Sequence, residues 1–305
     1  MPNLTFDYST IPDLAGRVVL VTGGTGGIGA EVIVELAKHN PSRILFTGRN
    51  AAAANTTIQR AQAGAPTAAL TFVPCDLASL SSVKAAAASI LAQTSRLDVF
   101  LANAGIMARP AGLSADGYEI QLATNHLGHA LLTKLLLPLL SRTASLPGAD
   151  VRVLYTSSTA WRGGRLACDA TFKTPMSSPL MGRWLRYCNT KLANLLYARE
   201  LAARYPEILA FSLTPGVVGT ALVTDLGFGD RAFIYVSQLG RVLTPEQGSW
   251  NHLWGISVPR GQVARGAFYE PVGVLAESVK AVAKEAEVRA RLWEWTEREL
   301  APWME

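Results

Sequence analysis

Tyr187 and Lys191 stand four positions apart in YCNTK (187–191), at the start of a stretch with helical spacing. Both side chains therefore leave one helix face and reach one point. A free phenol titrates near ~10 and transfers protons poorly at neutral pH, but an adjacent ammonium favours phenolate and pulls that value toward working pH. The pair reads as a proton donor or acceptor with its activator, although the same spacing arises by chance on ordinary helices. Ser158 follows the apolar run VRVLYTS (151–157). It either meets a reacting oxygen at a strand end or caps the segment that follows. Asn125, inside ATNHLGHALLT, competes for backbone hydrogen bonds, so it either bends the helix to hold a water or is a tolerated polar residue. His126 and His129 lack acidic or thiol partners at ligand spacing and read as structural; no metal site is expected.

The elements that must position these residues alternate along the chain. Short apolar or β-branched runs at 17–22, 43–48, 70–74, 98–102, 151–157, 208–213 and 266–270 are separated by helical patterns such as 30–39, 79–93, 122–140 and 188–204. The Ala-rich pieces AAAAN and KAAAAS are good helix formers. Strands buried on both faces and joined by crossovers predict an α/β fold, a single doubly wound parallel sheet of Rossmann type with helices on both faces. One domain over 1–305 is expected. Two long irregular stretches, 159–183 and from 214 past Gly229, suggest substrate loops at about 159–186 and 217–245.

Between the first strand and first helix lies TGGTGGIG (22–29), with five glycines in eight positions. Missing side chains let a dinucleotide pyrophosphate approach the backbone, and a helix N-terminus offers it unpaired N–H groups. The stretch fits GxGxxG (Gly24, Gly26, Gly29) or TGxxxGxG (Thr22, Gly23, Gly27, Gly29), with Thr25 and Ile28 between the glycines; a tight packing turn is the plain alternative. The second strand ends in Gly48, Arg49 and Asn50 with no acid for a ribose hydroxyl, and Arg49 favours a 2′-phosphate, hence NADP(H). Asp76, followed by Leu77, is placed to meet an adenine edge or to cap the helix opening at Ser79. Asn103, Ala104 and Gly105 end the fourth strand with small residues that let an adenosine ribose pass, or form an ordinary turn.

Composition narrows the class. With 49% hydrophobic residues the chain can bury a large core, and its +5 charge comes from 28 basic and 23 acidic residues that are scattered rather than striped, so a nucleic-acid partner is not expected. The most apolar helix candidate, ALLTKLLLPLL (130–140), is broken by Lys134 and Pro138, so no membrane span is expected. The opening MPNLTFDYSTIPDLAG lacks the basic head and apolar centre of a secretory leader, and Cys75, Cys168 and Cys188 read as reduced thiols; a cytoplasmic chain is expected. ESVKAVAKEAEVRARLWEWTERELAPWM reads as an amphipathic helix packed on the body or on a neighbouring subunit.

The order TGGTGGIG, CDL, NAG, Asn125, Ser158, YxxxK and then Pro215-Gly216 resembles a short-chain dehydrogenase/reductase over roughly 17–275. NAGIM, DGYE, TNHLGHALLT, YCNTKLAN and TPGVVGT resemble its NADP-dependent retinol-dehydrogenase-like branch, and EQGSWNHLW and GAFYEPVG are similar to fungal members, many of which act in secondary metabolism. The resemblance implies that Tyr187 exchanges a proton with a carbonyl or hydroxyl oxygen while hydride moves to or from nicotinamide. Lys191 would lower the Tyr187 pKa and hold the ribose, Ser158 would bond the reacting oxygen, and Asn125 would fix a water linking Lys191 to solvent. Pro215, Gly216 and Val218 would orient the carboxamide, with Thr220 near the pyrophosphate. Two departures stand out: a long stretch between Ser158 and Tyr187, and Gly26 where a base would precede Gly27.

The expected activity is NADP(H)-dependent interconversion of a carbonyl and an alcohol on an apolar or aromatic small molecule, walled by Trp161, Met176, Met181, Trp184 and the segment after Val218. Alternatives are a cyclase or dehydratase that uses the cofactor without net redox, and a redox-silent NADP-binding regulator. The helices at 122–140 and 188–204 are where relatives pair into homo-oligomers, unless their apolar faces serve only the internal core.

Overall fold

The computed structural model describes residues 4–175, 182–224, 226–237, 242–276 and 286–304. Eight strands form one sheet in the order β3-β2-β1-β4-β5-β6-β7-β8. Seven are parallel: β1 (Val18–Thr22), β2 (Arg43–Gly48), β3 (Leu70–Pro74), β4 (Val99–Ala102), β5 (Arg152–Thr156), β6 (Leu209–Leu213) and β7 (Phe268–Glu270). The doubly wound α/β expectation holds, with one addition. A two-residue strand β8 (Val274–Leu275) folds back antiparallel on β7, because the chain reverses at Pro271–Gly273 and Gly273 takes the left-handed conformation (φ +70). Burial on both faces also fails at the edges, since most of β3 is half-buried and β8 is exposed.

Alternation along β1 divides two cores. Val19 and Val21 point to one side with Ile33 and Leu36 of α1 (Gly27–Ala37), Ala54 of α2 (Ala51–Gly64) and Leu253 of α8 (Pro245–Ser257). Val18 and Leu20 point to the other side, with α3 (Leu80–Gln93), α4 (Gly128–Ala144) and α5 (Gly182–Arg204). Several helix starts are written locally. Asn50 and Ser79 cap α2 and α3 by accepting Ala53 N–H and Ser82 N–H, and Thr244 forms a reciprocal capping box with Gln247 behind Pro245. The predicted irregular stretch after 214 is partly helical, with α6 (Ala221–Thr224) and α7 (Phe228–Ser237).

The terminal amphipathic helix is α9 (Ala286–Leu300), and its earlier residues 277–285 lie outside those described. Leu292, Trp295, Thr296 and Leu300 are fully buried against the body. Trp293 stacks on Tyr197 of α5 at 5.0 Å, Glu297 pairs with Lys134 of α4, and Trp295 meets Phe172 edge-on at 4.9 Å. This helix therefore covers the outer side of α4 and α5, the pair that the sequence offered as a subunit contact.

Before α4, residues Ile120–Leu122 form one helical turn and Ala123–Leu127 a π-helical turn. The wider turn brings Gly128 against β3's exit, where a Cβ would lie 2.4 Å from the Leu77 carbonyl oxygen. A backbone oxygen cannot yield as a flexible side chain does. Gly128→Ala is expected to cost about 1–3 kcal/mol and lower the melting temperature. Unchanged thermal unfolding in that variant would contradict the close approach.

Candidate active site

The parallel strands end at one edge of the sheet, and at the switch between β1 and β4 they surround a cleft of about 870 Å³. The cleft is lined by Gly23, Thr25, Gly27, Ile28, Arg49, Asn50, Asp76, Leu77, Asn103, Ala104, Gly105, Pro215, Gly216, Val218 and Thr220, and by Ser158, Tyr187 and Lys191. Of the motif residues singled out in the sequence, Thr22, Gly24, Gly29 and Asn125 do not line it.

The glycines divide by what a side chain would meet. At Gly29 a Cβ would lie 2.4 Å from the Gly23 carbonyl oxygen, and at Gly24 it would strike Ile33 and Phe46. These two allow close packing of α1 on the sheet. Gly23 and Gly27 take positive φ of 69 and 53, which favours glycine. At Gly26 a Cβ would meet nothing within 4 Å. Gly26 is also the N-cap of α1 and supplies no side-chain cap, so the cradle and the first helical amides suit an anion. The residues present therefore fit a dinucleotide pyrophosphate. Thr220 borders the same loop, its Cγ2 3.2 Å from where a Gly27 Cβ would stand.

Thr22, quoted earlier only as part of a motif, ties two strand ends together. Its hydroxyl accepts Asn103 N–H at 2.9 Å and Ala104 N–H at 3.0 Å, while Asn103 Nδ2 donates to the Thr22 carbonyl at 2.9 Å. The Asn103–Gly105 segment is thus more than an ordinary turn. Arg49 is exposed at the cleft, and among the described residues no hydrogen bond or ion pair engages its guanidinium. Asp76 does not cap α3: it folds back to accept Ala78 N–H at 3.0 Å, and Ser79 is the cap.

Tyr187 lies inside α5, which begins at Gly182 rather than near 188. Its phenol and the Ser158 side chain line the same cleft, and Ser158 is near enough to favour the ionised phenol. Ser158 is the N-cap of the 3-10 turn Thr159–Gly163, accepting Ala160 N–H at 3.2 Å, so the capping reading holds in a residue that also lines the cleft. Lys191 Nζ lies 5.5 Å from the Tyr187 ring centre and donates to the Thr156 carbonyl at 3.1 Å. The expected acidification of Tyr187 is not what dominates. Burial pushes the phenol well above its usual value, the nearby Ser158 hydroxyl pulls it down by less, and the ammonium is directed at a carbonyl instead of the phenol oxygen. Burial also lowers Lys191 to about 8.

Asn125 sits in the π-helical turn. Its Oδ1 accepts Ile106 N–H at 2.8 Å, and its Nδ2 donates to the Ile106 carbonyl at 2.8 Å and to Thr190 Oγ1 at 3.0 Å. The side chain thus clamps the segment after β4 to α5, which explains a buried amide in a helix. His129 bridges Thr22 Oγ1 at 2.8 Å and the Asn125 carbonyl at 3.0 Å, and His126 Nε2 reaches Thr296 Oγ1 at 3.0 Å. Both histidines tie neighbouring segments together inside the core, and among the described residues there is no group of three or more His, Cys, Asp or Glu that could hold a metal ion.

One wall is apolar: Met107, Val223 and Tyr187 cluster with Trp184, Val217 and Leu222. Trp161 is not part of it. Only 4% exposed, it packs edge-on against Phe268 in the core, while Met176 and Met181 lie outside the described residues.

A family profile described as short chain dehydrogenase matches residues 17–164. The short-chain dehydrogenase/reductase drtF of Aspergillus calidoustus is 34% identical over 303 residues, spanning 95% of this chain and 95% of that protein. The chain belongs to the short-chain dehydrogenase family. Human retinol dehydrogenase 11 is 31% identical over 283 residues, covering 92% of this chain and 85% of the relative. A crystal structure of an uncharacterized protein from Mycobacterium paratuberculosis superposes with a TM-score of 0.69 at 29% identity, covering 97% of each chain. This dehydrogenase fold binds a nicotinamide cofactor, NAD or NADP. No helix among the described residues is long and apolar enough to cross a membrane.

The dehydrogenase's DGYE segment (116–119) is a frame for the site. Asp116 accepts Leu80 N–H at 2.8 Å, Tyr118 OH donates to Glu299 of α9 at 2.9 Å, and Glu119 accepts Leu122 N–H at 2.8 Å. Glu119 also pairs with Arg186 at 3.1 Å, both side chains almost wholly buried, one position before Tyr187. Burial pushes the Glu119 carboxyl up by more than the Leu122 and Gln121 amides and Arg186 pull it down. Glu119→Ala would leave Arg186 buried beside an empty partner site, an expected loss of about 3–5 kcal/mol in denaturant unfolding. A loss within error would show that the pair does not hold α5 in place.

Proposed function

We propose that this protein is an NADP(H)-dependent carbonyl reductase, or the reverse alcohol dehydrogenase, acting on an apolar or aromatic small molecule. One observation carries the reading. Tyr187, its ring 5.5 Å from Lys191 Nζ, shares one cleft with Ser158 and the glycine loop. When bound, the nicotinamide supplies or accepts the hydride. Tyr187 gives its proton to the carbonyl oxygen as the carbon is reduced, and takes it back in the reverse direction. Ser158 donates a hydrogen bond to the same oxygen, and Lys191 provides the local positive charge as negative charge develops there.

A phenol kept protonated by burial is ready to donate its proton to a carbonyl oxygen. The wall of Met107, Trp184, Leu222 and Val223 suits an apolar or aromatic substrate. Arg49, with a guanidinium free of protein partners among the described residues, suits the 2′-phosphate of NADP(H). Pro215, Gly216 and Val218 would meet the carboxamide, and Asn103–Gly105 the adenosine side.

Purified protein, NADPH and a panel of aryl ketones, aliphatic aldehydes and retinaldehyde test the reading at the nicotinamide absorbance. Product formation without stoichiometric NADPH consumption would favour cyclase or dehydratase chemistry. Tyr187→Phe is expected to lose at least about 100-fold in kcat while binding NADPH within a few-fold of the unaltered protein. Retained turnover removes Tyr187 from the proton-transfer role. Arg49→Ala is expected to raise Kd for NADPH by about tenfold and leave NADH nearly unchanged; equal effects on both cofactors would sink the phosphate assignment.

A further inference from the structure

Lys191 brings an ammonium to a place only 4% exposed, and its protein acceptor is the Thr156 carbonyl. That carbonyl also accepts Asn194 Nδ2 at 3.2 Å. The Thr156 hydroxyl lies 2.9 Å from His252 Nε2 of α8, and next to it Ser157 Oγ donates to the Lys191 carbonyl at 2.7 Å. The end of β5 is therefore fixed from α8 by His252 and from α5 by Asn194. A carbonyl has two lone pairs and an ammonium three donors. Asn194 takes one lone pair, Lys191 the other, and two ammonium donors are left for the cleft.

We propose that Asn194 is a positioning residue for Lys191: by sharing the Thr156 carbonyl, it fixes where the ammonium stands relative to Tyr187 and which of its donors face the cleft. The idea rests on the Tyr187–Lys191 reading above. Without the amide, the second lone pair opens and the ammonium can swing around the carbonyl. The titratable groups surrounding Lys191 are Tyr187 on its own helix, His129 on α4 and His252 on α8, with His126 beside Asn194. Burial holds His129 and His252 near about 4 and His126 near about 3, so all are neutral at pH 7. None of these groups supplies an anion.

Two variants separate positioning from mere support. Asn194→Leu keeps the volume and removes the donor, while Asn194→Asp places a carboxylate beside the same carbonyl. Lys191 is titrated by carbon NMR in protein labelled at lysine Cε, with its signal assigned by its loss in Lys191→Met. The expected result is an upward shift of about one unit or more in Asn194→Asp. In Asn194→Leu, kcat for reduction should fall about tenfold with KM for NADPH within twofold.

An unmoved Lys191 titration in Asn194→Asp overturns the proposal, and the NMR reading does so independently of turnover. Should Asn194→Asp fail to fold, Asn194→Leu decides alone: lower melting temperature with unchanged kcat means a structural role and ends the proposal. Turnover surviving in Tyr187→Phe marks failure of the underlying catalytic reading, while the lysine titration still reports whether Asn194 governs Lys191.

Discussion

A charged amine almost sealed from water is the constraint around which this molecule is arranged. Lys191 has no neighbouring carboxylate in the polar contacts that hold it, so the cost of desolvation is met by a backbone carbonyl at the end of β5 and relieved by a lowered pKa of about 8. Everything that fixes β5 therefore fixes the cation. The strand is flanked by β4 and β6 in parallel register, and its last residue is tied to two helices. A sheet provides this rigidity more dependably than a loop, because each terminal residue is located by ladders on both sides.

The second requirement is that segments far apart in sequence meet behind the cleft through polar side chains that join them. Thr22, Asn103, Asn125 and His129 form one connected set joining β1, β4 and the helix before α4. The π-helical turn makes this possible, since the wider turn presents Asn125 to Ile106 and still lets α4 pack beneath. α9 then closes the outside of α4 and α5 and reaches inward through Thr296 and His126. It also grips the segment following β5 through Lys173–Glu299 at 2.7 Å and the Phe172–Trp295 contact.

Much of the fold was legible because burial writes itself into local pattern. β1, β2, β4, β5 and β6 are each built around a short run rich in apolar and β-branched residues, and the glycine loop follows the first of them directly. The clustering of Ser158, Tyr187 and Lys191 at one cleft was legible through strand ends and helical spacing. What escaped depends on contacts with no local signature. β8 exists only through its pairing with β7, and Trp161 is core only because Phe268 comes to meet it. Asn125 looks anomalous in its own helix until Ile106 is placed beside it, and nothing in YCNTK states that its lysine will turn to the carbonyl of Thr156. The helix beginning at Gly182 extends past the 188–204 pattern for a like reason, since Arg186 in its first turns is buried against Glu119, a residue far away in sequence.

The glycines of the loop do unlike jobs, and the difference governs how the segment can drift over generations. Gly24 and Gly29 are walled in by protein, so any larger residue there harms the fold whatever the chain binds. Gly26 opens onto the cleft, where a methyl group meets no protein atom. A descendant would be free to place a side chain at that one position and keep the rest of the loop. A change in how the cofactor is gripped could therefore be recorded at Gly26 in a molecule that still folds.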